Sequence, residues 1–307
     1  MTSAWPVLPR YEEWSATCDT LHAHTQVLGK LATVLSPAEP QLQHAALRPT
    51  ARGWETPPLP APDGSGAFVA ALDVHAHEVV VEHSDGRVRR VALTPDRPVG
   101  AVTREVLAAA RELAGEVTID PKPQEVAWTV ALDEDDEHAT YETDRVAAWF
   151  AVTTRVALVL AAFRAPYRGR STPVNAWWGS FDLAVNLFSG RPADPPSDDF
   201  IMRNAMDAQE VAVGWWAGDG RYGKAAFYAY AHPAPASFPG AALEPAQARW
   251  DGTLGLYVLD HDDVAASPDP YETALRFARS AFNHACMVCD WDPVLSASAE
   301  GTPPPVA

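Results

Sequence analysis

Cysteine is scarce in this chain, with three in 307 residues (Cys18, Cys286 and Cys289), so no disulfide framework can be built. Positive charge is scarce too: 23 Lys and Arg stand against 40 Asp and Glu, a formal charge of −17. Such a field repels phosphate backbones and anionic lipid, which argues against nucleic acid and membrane surfaces as partners. The first residues lack the basic start and apolar run of a signal peptide. The most apolar stretch, Val146 to Phe163, has Arg155 near its middle, which costs about 2.5–3.5 kcal/mol on membrane insertion scales. It reads as a core helix, and the expected compartment is the cytoplasm. What is abundant is packing material: 47% of residues are hydrophobic, with 11 Trp, 8 Tyr and 10 Phe, enough for a large core. High Ala and Pro content suits a GC-rich bacterial coding sequence.

Periodicity predicts an α+β fold of mostly antiparallel sheets packed with helices. Trp14, Cys18, Leu21, Thr25, Leu28 and Leu35 recur at helical spacing over 10–35, leaving a narrow polar strip of His22, Gln26 and Lys30 at i, i+4 and i+8. Such a strip is either solvated or lines a cleft. Strands are expected at 68–74, 77–82 and 87–93, the last two flanking the turn signal Ser84-Asp85-Gly86. A helical stripe follows at Val102, Val106, Ala109 and Leu113, with Gly115 just past its end. The acidic run Asp133 to Glu137 reads as solvated loop. Further strands are expected at 173–179, 181–188, 209–216, 225–232 and 254–259, and a last helix at 271–289. The outline of helix, strands and helix occurs twice, which suggests two similarly built halves, 1–140 and 141–295, packed as one unit. The tail 296–307 is expected to be disordered.

Chemistry concentrates in the second half. Strand alternation puts Trp177, Phe181, Leu183, Val185 and Leu187 on one face, and Trp178, Ser180, Asp182, Asn186 and Phe188 on the other. Val211, Val213 and Trp215 oppose Glu210, Gly214 and Trp216 in the same way, and Tyr228, Tyr230 and His232 form the polar side of the next strand. If these strands are neighbours, one face is core. The other collects carboxylates, phenols, an imidazole, an amide and indoles. Three readings stand for it: a small-molecule pocket, an internal polar network, or an open surface. In the pocket reading Asp182 and Glu210 are the candidate acid and base. Trp178 is a stacking wall, Ser180, Asn186, Tyr228 and Tyr230 contact the ligand, and Arg191 anchors an anionic group. His22, Gln26, Lys30 and His77 are added as ligand-facing candidates.

Other motifs carry less. His75 and His77 share an expected strand face but lack a third metal ligand, so no metal site is assigned. Cys286 and Cys289 have a C-x-x-C spacing, but in a helix rather than after a strand. No Walker loop, Rossmann glycine pattern or Gly-x-Ser-x-Gly elbow is present, and no cofactor is assigned. The partner expected is a small molecule.

The same segments carry a resemblance. Thr20-Leu21-His22 with Gln26-Val27-Leu28-Gly29-Lys30, Asp73 with His77, and Ser84-Asp85-Gly86 belong to it. So do Trp178 to Ala184, Phe188-Ser189-Gly190-Arg191, Ala226 to Tyr230 and Trp291-Asp292, with Tyr11, Trp14, Asp135, His138 and Tyr141. Together they resemble the domain of unknown function 5996 family over nearly the whole chain. The resemblance implies a free-standing cytoplasmic bacterial protein with no established cofactor or reaction. This chain departs from the pattern the resemblance implies at Asn175, where His is expected, at Ala208-Gln209-Glu210, where Ser-His-Glu is expected, and around Gln43-His44, where a Trp pair is expected.

Overall fold

A computed structural model describes residues 5–298. The fold is α+β with two antiparallel sheets. Contacts divide the chain into two compact units that interleave along the sequence. Among the described residues, the N-terminal unit is Pro9–Ala151 with Asn175–Asp182, and the C-terminal unit is 5–8, Val152–Val174 and 183–298. The sequence outline places a single boundary at residue 140. The observed division instead falls inside a helix and returns at a turn, neither of which leaves a mark in composition.

In the N-terminal unit helix α1 (Ser15–Leu35) is followed by three two-residue strands, β1 (Arg48–Pro49), β2 (Trp54–Glu55) and β3 (Leu59–Pro60). The Pro-rich run 57–62 flanks and limits β3, because proline cannot donate to a ladder. Next come β4 (Ala67–Asp73), β5 (Glu78–His83) and β6 (Val88–Ala92), in sheet order β1–β2–β4–β5–β6 with β3 also on β4. The β5–β6 hairpin turns at Ser84-Asp85-Gly86, where Gly86 takes φ 92°. Helix α2 (Val99–Ala114) ends at Gly115 in a positive-φ conformation (94°). Its apolar stripe, Val102, Val106, Ala109 and Leu113, is buried. No helix or strand occurs from 115 to 142. Helix α3 (Thr143–Arg164) begins in this unit, and strand β7 (Asn175–Trp177) completes it. Among the described residues, α3 alone is long and apolar enough to cross a membrane by length and composition; Trp149, Val152, Val156, Val159 and Phe163 on it are fully buried.

The C-terminal unit holds β8 (Asp182–Pro192, from Leu183), α4 (Phe200–Ala205), β9 (Ala208–Trp216), β10 (Ala226–His232), β11 (Arg249–Asp251) and β12 (Leu256–Asp260). They lie in the order β11–β12–β10–β9–β8. Helices α5 (His261–Ala265), α6 (Pro270–Val288) and α7 (Pro293–Ser298) follow. Helix α6 starts at an Asp269 cap that accepts from the Glu272 N–H at 3.1 Å, with Pro270 preset for the first turn. It packs against β9 and β10. The expected disordered tail begins inside α7; its remainder lies outside the described residues.

Several expectations are corrected. The span 178–181 is a turn rather than strand, with Phe181 at φ 54°, so the alternation read through Trp178 and Ser180 breaks there. His75 and His77 sit in the β4–β5 turn, not on a strand face. The strip His22, Gln26 and Lys30 is buried, at 7%, 0% and 4% exposure. Asp135, in the run expected to be solvated, is buried as well.

Candidate functional site

The residues singled out in the sequence fall into both units. Trp178, Ser180, Asp182, His22, Gln26, Lys30 and His77 lie in the N-terminal unit, whereas Asn186, Arg191, Glu210, Tyr228 and Tyr230 lie in the C-terminal one.

In the N-terminal unit most of these side chains hold backbone in place. The His22 imidazole donates through Nε2–H to the carbonyl oxygens of Trp178 (2.8 Å) and Gly179 (3.1 Å). Gln26 donates to the Gln124 carbonyl and accepts from the Gln124 N–H, both at 2.9 Å. Phe181 stacks on His22 at 4.9 Å and on Trp149 at 5.3 Å, nearly parallel to each. These contacts outweigh the roughly 1–3 kcal/mol cost of its left-handed backbone. Burial pushes the His22 imidazole down to about 4, so it is neutral near pH 7. Trp178 donates to the Ala45 carbonyl at 3.0 Å and lies so close to Gly29 that a Cβ there would come within 1.9 Å of its ring. The Lys30 ammonium sits 5.3 Å above the same ring. Ser180 donates to Asp182 at 2.5 Å, and His77 Nδ1 hydrogen-bonds the Tyr141 hydroxyl at 3.2 Å. Burial raises the Tyr141 phenol above its usual range, so it stays protonated. A neighbouring dyad was not singled out as chemistry: His138 Nδ1 bonds the buried Asp135 carboxylate at 2.7 Å, and the Trp128 ring lies beside both His138 and His22.

The C-terminal unit is arranged differently. Register pairs His232 with Glu210, Tyr230 with Ala212, Tyr228 with Gly214, and Ala226 with Trp216, so these residues share one sheet face. The opposite face carries Val211, Val213, Trp215, Phe227 and Ala229, all at most 1% exposed. The alternation read in β9 and β10 therefore corresponds to the register. On the mixed face Glu210 is 2% exposed and, among the described residues, no cation is hydrogen-bonded to it. Asn186 Nδ2 donates to one carboxyl oxygen at 3.0 Å and the Tyr230 hydroxyl to the other at 3.3 Å. Burial raises the carboxyl to about 7; the two hydrogen bonds and the more distant charge of Arg170 oppose that rise but do not overcome it. The Asn186 side-chain amide oxygen is buried and has no hydrogen-bond partner among the described residues. A carboxylic acid at Glu210 can supply that partner if the amide turns over, so Asn186 can serve either protonation state.

Beside Glu210 runs an aromatic row. Tyr228 and Tyr230 are parallel at 6.3 Å, Trp216 meets Tyr228 edge-on at 5.7 Å, and Tyr222 meets Trp216 at 5.1 Å. All four are half-buried. Tyr228 crosses β9 at Gly214, where a Cβ would lie 2.4 Å from its ring and 2.6 Å from the Leu183 carbonyl oxygen. Glycine is therefore required for the ring to lie flat. Beyond Tyr222 is a cluster that the sequence did not reveal. Asp260 accepts from the Tyr222 hydroxyl at 2.5 Å, Lys224 at 2.6 Å and Arg249 at 3.2 Å. Its members are up to 38 residues apart in sequence and form no motif, so no local signal marked them.

Arg191, expected to anchor an anion, is exposed at the end of β8, its backbone N–H bonded to Ser189 at 3.1 Å. Asp182 and Glu210, expected to act as a pair, belong to different units. Cys286 and Cys289 are free thiols, and burial raises both, Cys286 to about 12, which makes them poor nucleophiles at neutral pH.

The model of one protein family, described as a family of unknown function (DUF5996), matches residues 5–297. No curated protein and no solved structure matches the chain.

Proposed function

We propose, given that the chain belongs to this family of unknown function and takes no reaction from it, that it binds a small molecule on the Glu210 face and uses Glu210 as its proton donor and acceptor. One observation carries the reading: a carboxyl buried to 2% exposure, with no cation hydrogen-bonded to it among the described residues and raised to about 7, beside half-buried aromatic rings. A group whose proton is held half the time near neutral pH is suited to general acid–base work. Asn186 orients the carboxyl in both protonation states, and Tyr230 holds its second oxygen. Trp216, Tyr228 and Tyr230 supply the ring surface on which an organic ligand would lie. Trp178, Ser180, Asp182, His22, Gln26, Lys30 and His77 act in this reading by fixing the fold of their own unit.

The test is a small-molecule screen read on the carboxyl ¹³C resonance of Glu210 in protein labelled at glutamate. A ligand of this face is expected to move that resonance and its titration midpoint, and to bind Glu210→Gln at least tenfold more weakly. Ligands that bind wild type and Glu210→Gln equally would make the carboxyl part of an internal hydrogen-bond network instead.

A further inference from the structure

We infer that the ligand of the Glu210 face is a flat-ring monocarboxylate, its ring on Trp216 and Tyr228 and its carboxylate at Lys224 and Arg249. The inference rests on the proposed function and adds the chemical class of the ligand.

The register carries it. Asp260 pairs with Ala226, and Ala226 with Trp216; Arg249 pairs with Val258, Val258 with Tyr228, and Tyr228 with Gly214. Paired residues point to the same side of a sheet, so Arg249 and Asp260 stand on the face that carries the aromatic row and Glu210. That face therefore has a polar group at each end and rings between them. One end is the Glu210 carboxyl with Asn186. The other is Asp260 with two cations.

Charge at the second end is unbalanced. Lys224 and Arg249 share a single carboxylate, which leaves one positive charge on a chain whose formal charge is −17. The carboxylate is the hidden member: the Asp260 side chain is 10% exposed, against 31% for Lys224 and 45% for Arg249. The cations therefore reach solvent while their partner does not. Each also has N–H groups beyond those given to this cluster: Lys224 bonds Asp260 with one of three, and Arg249 uses Nη2 on both Asp260 and the Tyr222 hydroxyl, leaving Nε and Nη1 of its fork. One net charge matches a monoanion, and a guanidinium beside an ammonium matches the two oxygens of a carboxylate. The row between the ends offers ring edges and faces at 5–6 Å spacing, which suits a planar ring.

The experiment follows the indole N–H resonance of Trp216, assigned by its loss in Trp216→Phe. Benzoate and indole-3-acetate are titrated beside their neutral amides, into wild type, Lys224→Met and Arg249→Gln. Each variant leaves one cation on Asp260, and thermal melting checks that both fold. The acids are expected to shift Trp216 at concentrations at least tenfold below the amides, and either variant should weaken the acids at least fivefold while leaving the amides unchanged. Acids and amides that bind alike would overturn the carboxylate anchor and leave the Glu210 face standing as a site. Failure of either acid to shift Trp216 would also overturn the anchor. The proposed function itself falls only on the separate Glu210 measurement.

Discussion

His22 and Glu210 are both ionisable side chains withdrawn from water, one in each unit, and burial drives each towards its neutral form. Their surroundings differ in what they leave undone. His22 donates to two carbonyl oxygens and is stacked by Phe181, so its proton is fixed on Nε2 and the ring serves as a bracket. Glu210 is held by an amide and a phenol, with an amide oxygen beside it still unpartnered. Burial alone therefore does not mark a site. A buried group whose neighbours fit only one protonation state is structural, while one whose neighbours fit both can exchange a proton without loss of its hydrogen bonds.

The contrast has opposite signatures in pH. His22 is depressed from 6.5 to about 4, so the unfolded chain binds more protons in that window and stability falls as pH drops from 6.5 towards 4. Glu210 is raised from 4.5 to about 7, so the folded chain binds more protons there, and its contribution is lost as pH rises from 4.5 to 7.

The largest expected effect would break the bracket. His22→Ala should cost the N-terminal unit about 4 kcal/mol at pH 7 in denaturant melts, since it removes a buried ring and frees two carbonyls. A loss under 1 kcal/mol would mean that the turn at 178–181 holds itself. Next, Glu210→Gln should stabilise the protein by about 3 kcal/mol at pH 8 and by little at pH 4.5, the sign expected when a costly charge is removed. Equal effects at both pH values would show that Glu210 titrates normally. Gly214→Ala should cost about 2 kcal/mol, because Tyr228 and the Leu183 carbonyl leave its methyl group no room, and should shift the Tyr228 ring resonances. The smallest change is Tyr230→Phe, about 1 kcal/mol in stability, with the Glu210 midpoint moving above 7 in carboxyl NMR as a stabilising donor is lost.

The fold was legible wherever periodicity was long. Helices α1, α2, α3 and α6 and the strands β4, β5, β9 and β10 follow their apolar patterns to within a few residues. The two-residue strands β1 to β3 were not legible, because a pair of residues has no period. On the Glu210 face, alternation in β9 and β10 gave the correct sides, since register preserves a period of two. It failed at 178–181, where the left-handed Phe181 turns the chain for the sake of stacking partners distant in sequence. The strip on α1 looked polar because a helical wheel shows what a residue is, not what a loop a hundred residues later lays over it. Asp260, Lys224, Tyr222 and Arg249 meet only through sheet order, which spacing does not encode.

The two-way pairing of Gln26 with Gln124 bears on exchange with deuterated water. The Gln124 amide lies in a stretch with no helix or strand, where backbone hydrogens ordinarily exchange at once. Its hydrogen is given to a side chain that is fully buried on α1. It should therefore exchange as slowly as the interior of that helix, an island of protection within an otherwise labile segment. A Gln26→Glu variant, which keeps the acceptor but loses the donor, should lower that protection without abolishing it.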